Sequence, residues 1–108
     1  MMKAKRVAPP EVPPVQIGKV RYEVLHWGRK RGLPQNGGYI VACDAASGEE
    51  LWTLQVYQTV IDAGLETDVQ EVFIESMKKS LLGGKLKLRD ELGRRFLVDP
   101  ATRSAQMQ

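Results

Sequence analysis

The chain has 108 residues, 16 Lys and Arg against 13 Asp and Glu for a formal charge of +3, and 43% hydrophobic with 27% charged residues. That length is one ordinary domain, too short for a cofactor-holding barrel, a doubly wound sheet or a complete β-propeller, and the composition is too apolar for wholesale disorder. Resolved along the chain, the charge is a cancellation. Residues 1–31 hold eight Lys/Arg and two acids (+6), residues 32–75 hold eight acids and no Lys or Arg (−8), and residues 76–108 hold eight Lys/Arg and three acids (+5). Pairing of acidic with basic strands inside one fold accounts for this segregation and leaves the excess in the N-terminal arm and the 26–32 loop for a partner.

No run reaches the roughly 18–20 apolar residues of a membrane helix, so no membrane partner is expected. Pro9 and Pro10 fall where the apolar core of a signal peptide would begin, so no signal peptide is expected. Cys43 is the single cysteine, which excludes an intramolecular disulfide and points to a reducing cytoplasm. With one His and one Cys the chain lacks the soft ligands of a structural zinc site, and neither metal nor cofactor is expected.

Residues 1–14 read as a disordered, basic, proline-rich arm: Lys3, Lys5 and Arg6 precede Pro9, Pro10, Pro13 and Pro14, and proline fixes φ and donates no backbone hydrogen bond. A single β domain is expected over 15–103, with a disordered tail at 104–108. Ile17, Val20, Tyr22 and Val24 alternate as in a strand, with a turn or bulge at Gly18-Lys19. Six Gly, Pro and Asn positions between Gly28 and Gly38 make the following stretch a long loop.

Tyr39 to Cys43 is continuously apolar, and with the largely apolar return strand that follows it predicts strands shielded on both faces. Asp44-Ala45-Ala46-Ser47-Gly48 then forms an Asx-type turn into a return strand at Leu51–Tyr57. Residues 58–67 read as a polar connection.

Two readings compete over 68–82. Asp68 and Glu71 have capping-box spacing, and Val69, Val72, Phe73, Met77 and Leu81 share a helical face. Yet Val72-Phe73-Ile74 favours a strand, and Gly83-Gly84 would turn a hairpin into the alternating strand Lys85–Arg89. Asp90 to Gly93 turns into a further strand at Arg94–Val98.

An internal echo tips the balance to strands. Gly38–Ser47 aligns with Gly93–Thr102 at a fixed offset of 55, matching Gly38 to Gly93, Asp44 to Asp99, Ala46 to Ala101 and Ser47 to Thr102. Asp closes each turn by accepting backbone N–H bonds, and Ser47 or Thr102 reinforces it. The expected fold is mainly β, a small antiparallel sheet of five to six strands. The alternative is α+β with a helix at 68–82.

The stretch Cys43–Trp52, with Lys85–Thr102, resembles a single blade of a quinoprotein-type β-propeller over about residues 38–103. That resemblance implies successive antiparallel strands at 49–57, 70–78, 85–89 and 94–98. It brings no cofactor, because one blade cannot enclose a quinone. The whole chain also resembles small bacterial proteins, a likeness that carries no activity with it.

His26-Trp27-Gly28-Arg29-Lys30-Arg31-Gly32 is the candidate binding segment. Trp27 and the arginines can stack on bases, and Arg29, Lys30 and Arg31 can neutralise phosphates or an acidic protein surface. The bland reading is that Trp27 plugs the end of the sheet and the cations are solvated. Lys78, Lys79, Lys85, Lys87, Arg94 and Arg95 would extend a positive face.

No catalytic residues are expected. Nothing in the spacing joins His26 to Cys43 or a serine, and Glu49-Glu50 and Asp90-Glu91 read as solvated acids flanking turns. Trp52 and Tyr57 read as packing. The sequence thus points to a non-catalytic binding or structural module that engages a protein partner, with homodimerisation through open sheet edges as one route. The alternative is weak nucleic-acid or polyanion binding through the arm and the 26–32 loop.

Overall fold

Among the described residues, short segments fold into eight strands: β1 Val15–Ile17, β2 Val20–Leu25, β3 Tyr39–Asp44, β4 Glu50–Gln55, β5 Ile74–Lys79, β6 Leu86–Asp90, β7 Arg95–Asp99 and β8 Ser104–Met107. This computed structural model describes residues 8–59, 71–81 and 83–108. Lys3, Lys5 and Arg6 of the arm, most of the 58–67 connection and the beginning of the 68–82 stretch lie outside the described residues.

All neighbouring strands pair antiparallel, and they divide into two four-stranded sheets in chain order, β1-β2-β3-β4 and β5-β6-β7-β8. The mainly β expectation holds, but one sheet of five to six strands does not form. Within 71–82 the described residues contain β5 and no helix. The order implied by the blade resemblance is also corrected: segment 49–57 contributes β4 to the first sheet, whereas β5, β6 and β7 belong to the second. Alternation fixes which face of a strand is apolar; it does not fix which strand lies alongside.

The local turn chemistry forms as read. Ile17 pairs with Val20 across Gly18-Lys19, so the N-terminal segment is a hairpin of two strands. Asp44 Oδ1 accepts from Ala46 N at 2.9 Å and Ser47 N at 3.0 Å, and Asp99 Oδ1 accepts from Ala101 N at 3.0 Å. The echo thus marks the third-to-fourth strand turn of each sheet. It extends one residue further, because Gly48 (φ 78°) is matched by Arg103 (φ 54°), a left-handed position that side chains other than Gly rarely occupy. The guanidinium of Arg103 lies 5.3 Å from the Trp52 ring centre, tying the last turn of the second sheet to the edge strand of the first.

The chain ends depart from expectation. Residues 104–108 were expected as a tail, but β8 pairs with β7 from Asp99↔Ser104 to Phe96↔Met107, a backbone ladder that needs little side-chain hydrophobicity. Residues 8–14 form no strand, yet Val12 packs against the core and the Pro10 carbonyl accepts a hydrogen bond from His26 Nε2 at 2.7 Å.

Inward side chains of both sheets meet in one core: Tyr22, Ile40 and Ala42 from the first sheet with Ile74, Met77, Leu86, Leu88, Phe96 and Val98 from the second. Tyr57 stacks on Phe96 with ring centres 5.1 Å apart and donates its hydroxyl hydrogen to the Val72 carbonyl. The outward side chains Tyr39, Val41 and Cys43 are buried as well. The 26–38 loop lies against this side of β3: it sets Gly28 against the Tyr39 ring, bonds Gln35 N–H to the Tyr39 hydroxyl, and sends Arg31 to Glu50, the register partner of Cys43. Shielding on both faces, expected for both strands of this hairpin, holds for β3 but not for β4, where Glu50, Leu51, Thr53 and Gln55 are exposed because β4 is the edge strand and no described segment covers its outward face.

Candidate functional site

The 26–32 loop leaves β2 and makes a single 3-10 turn, Gly28–Arg31. His26 and Trp27 both pack edge-on against Phe73, with ring centres 5.2 and 6.1 Å apart. Lys30 Nζ lies 5.5 Å from the Trp27 ring centre. Arg31 Nη1 donates to Glu50 Oε1 at 2.7 Å, and Arg29 Nε stands 3.9 Å from Glu71 Oε2. Each predicted loop residue is therefore engaged within the fold. Trp27 remains about half exposed, but Arg29 and Arg31 face carboxylates, which weakens the loop as a polyanion site.

Glu71 is the residue that the sequence reading missed here. Its side chain is 1% exposed, and it accepts from Asn36 N at 3.2 and 3.1 Å and from Gly37 N at 3.3 Å. Beside it, buried Gln35 donates to the Gly37 and Tyr57 carbonyls and accepts from Thr59 N. The available signal was the bare Asn36-Gly37-Gly38 backbone, whose N–H groups need acceptors once buried. Asp90 was read as solvated, but it is fully buried. It accepts from Leu92 N and Arg94 N at 2.9 Å each and from Arg94 Nε at 2.6 Å. The turn folds inward because the carboxylate is fully partnered there.

The turn residues Asp44, Ser47, Gly48, Asp99 and Thr102 lie in the two matching turns and serve them: Ser47 Oγ accepts from Glu49 N, and Thr102 Oγ1 bonds Ser104 Oγ at 2.7 Å. Cys43 is buried outward on β3, and desolvation pushes its thiol pKa up, away from nucleophilic character. It pairs with Arg21 in the β2–β3 register, at the far end of β2 from His26. Among the described residues, no group of three or more His, Cys, Asp or Glu is placed to hold a metal ion.

Strand register assembles a second surface. On the second sheet Met77, Leu86, Leu88, Phe96 and Val98 point inward, so alternation turns Ser76, Lys78, Lys87, Arg89 and Arg95 outward. Lys78 stands directly opposite Lys87, and Arg89 directly opposite Arg95. Like charges so placed destabilise a sheet. Together with Gln108, these outward side chains line an open groove of about 330 Å³. Arg89 Nε is 2.8 Å from Glu75 Oε2, whereas among the described residues no ion pair reaches Lys78, Lys87 or Arg95.

Of the cations expected to extend a positive face, Lys78, Lys87 and Arg95 lie here. Lys79 and Lys85 stand outside the groove, and Arg94 turns away to Asp90 over the Tyr57 and Phe96 rings. Arg89 joins the groove through its register. No helix among the described residues is long and apolar enough to cross a membrane. No known protein family, curated protein or solved structure matches the chain.

Proposed function

We propose that this protein is a non-catalytic, cytoplasmic binding module whose contact surface for an acidic macromolecule is the outward face of the second sheet. The observation that carries the reading is the pair of directly opposed like charges, Lys78↔Lys87 and Arg89↔Arg95, around an open groove. A face that serves only solubility gains by interspersing both signs, whereas cations concentrated at a cost to the sheet suit a ligand of opposite charge. The lone, buried Cys43 is in keeping with a reducing compartment.

Amide NMR titration with heparin, a generic polyanion, tests the surface. Shifts clustered on Ser76, Lys78, Lys87, Arg89 and Arg95 are expected. Shifts confined to residues 26–32 would return the site to the loop, and no response would remove the reading altogether.

A further inference from the structure

We infer that the ligand of this face is the phosphodiester backbone of a nucleic acid, held without regard to base sequence, and that Glu75 restrains its affinity; the inference rests on the outward face of the second sheet being the binding surface.

The side chains around the groove decide between kinds of acidic partner. Ser76, Lys78, Lys87, Arg89, Arg95 and Gln108 all present donors, and these residue types match the set that contacts phosphate oxygens. Protein interfaces draw on a desolvated centre with aromatic or aliphatic anchors. None of the groove-lining side chains is aromatic, the one aliphatic residue there, Leu88, is buried in the core, and the two tryptophans are committed elsewhere, Trp27 to Phe73 and Trp52 to Tyr22 and Arg103. The same lack of a stacking platform removes the means to grip or distinguish bases. Lysine and arginine contacts to phosphate carry no sequence information of their own. An open groove also suits a polymer running past it better than one enclosed anion.

Glu75 is the residue that sets the strength. It occupies the irregularity in β5 between Ile74 and Ser76, from which its carboxylate reaches Arg89. Both side chains keep solvent contact, at 33% and 49% exposure for Glu75 and Arg89. A phosphate must therefore compete with Glu75 for Arg89, while Lys78, Lys87 and Arg95 are available at once. Three phosphate contacts would make affinity fall roughly 20- to 40-fold between about 50 and 200 mM salt, and a fourth would raise that to roughly 50- to 150-fold.

The experiment titrates the full chain with a labelled thymidine oligonucleotide, a mixed-sequence DNA duplex and poly-L-glutamate across that salt range. Wild type, Glu75→Gln and the double variant Lys87→Glu/Arg95→Glu are compared, with circular dichroism confirming the fold of each. Nucleic acid is expected to bind with the three-contact salt dependence. Glu75→Gln should bind more tightly with the steeper dependence, and the double variant should lose at least tenfold. The single-strand and duplex arms identify which form supplies the backbone.

Poly-L-glutamate binding as tightly as nucleic acid, with the same response to the variants, would overturn the phosphodiester assignment and leave the face as a docking site for acidic protein. Nucleic-acid binding indifferent to the double variant would overturn both the assignment and the surface, as would no binding by any probe. An unchanged salt dependence in Glu75→Gln would overturn the role of Glu75.

Discussion

Lys78 and Lys87 face each other across β5 and β6, directly opposite in the register of the second sheet. A sheet selected for stability alone would place opposite charges there. Lys87→Glu turns the repulsion into an attractive cross-strand pair, so the variant should unfold at higher urea, with a gain of about 0.2–1 kcal/mol. A loss of stability in this variant would show that the opposed lysines do not strain the sheet.

Glu71 holds the loop over the first sheet to the segment entering β5. Glu71→Ala strands the part-buried N–H of Asn36 and the buried N–H of Gly37, the latter at about 1–3 kcal/mol and the former at less. Glu71→Gln keeps an acceptor oxygen and should cost less. Hydrogen exchange at the Asn36 and Gly37 amides should accelerate more in the Ala variant than at the β6 and β7 amides; uniform acceleration would mean that the loop is not locally anchored by this residue.

Gly37 and Gly32 separate steric from conformational demands on the same loop. A Cβ on Gly37 would meet the Val72 carbonyl oxygen at 2.6 Å and the Phe73 ring at 2.9 Å, whereas one on Gly32 (φ 81°) would meet nothing within 4 Å. Gly37→Ala should therefore cost about 1–3 kcal/mol or more through overpacking, and Gly32→Ala about 1–2 kcal/mol through its left-handed backbone alone. Thermal unfolding of the two variants checks the order, and the loop packing described here requires Gly37→Ala to be the worse.

Stability should fall at both ends of the pH range for identifiable reasons. Hydrogen bonds from the Ser47 and Ala46 amides hold the Asp44 carboxyl below its ordinary 3.8. Its contribution is present above that value and is lost as pH falls toward and through the folded-state value. Asp44→Asn keeps an acceptor oxygen in the turn without the titration, so its acid limb should be flatter below about pH 4. At the other end, burial, followed by the nearby Asp90, pushes the Tyr57 hydroxyl well above its ordinary 10.0. The folded state then holds the proton more tightly, and stability declines as pH rises above about 10. Tyr57→Phe should flatten that limb while costing about 1 kcal/mol at neutral pH, because the Val72 carbonyl loses its donor. Urea midpoints across pH for both variants are the measurement.

The charge segregation along the chain has a partly internal use. Arg31–Glu50, Arg29–Glu71 and Arg89–Glu75 each join the acidic middle of the sequence to one of its basic flanks. These pairs engage two of the three loop cations expected to meet a partner. Of the cations expected to extend a positive face, register set Lys78, Lys87 and Arg95 side by side on the second sheet and added Arg89 to them.

What the sequence determined by itself was whatever is decided within a few residues. Asp44 and Asp99 close their turns on amides two or three positions away, Gly18 and Gly83-Gly84 turn their hairpins, and Tyr39–Cys43 announces burial on both faces. Strand against strand was decided by contacts far apart in sequence. One apolar core divided the strands between two sheets, a ladder with β7 recruited Ser104–Met107, and the buried Glu71 received the amides of residues 35 and 34 positions away. The basic groove belongs to the same class. Its cations come from three strands, and alternation becomes a shared face only when pairing fixes the register.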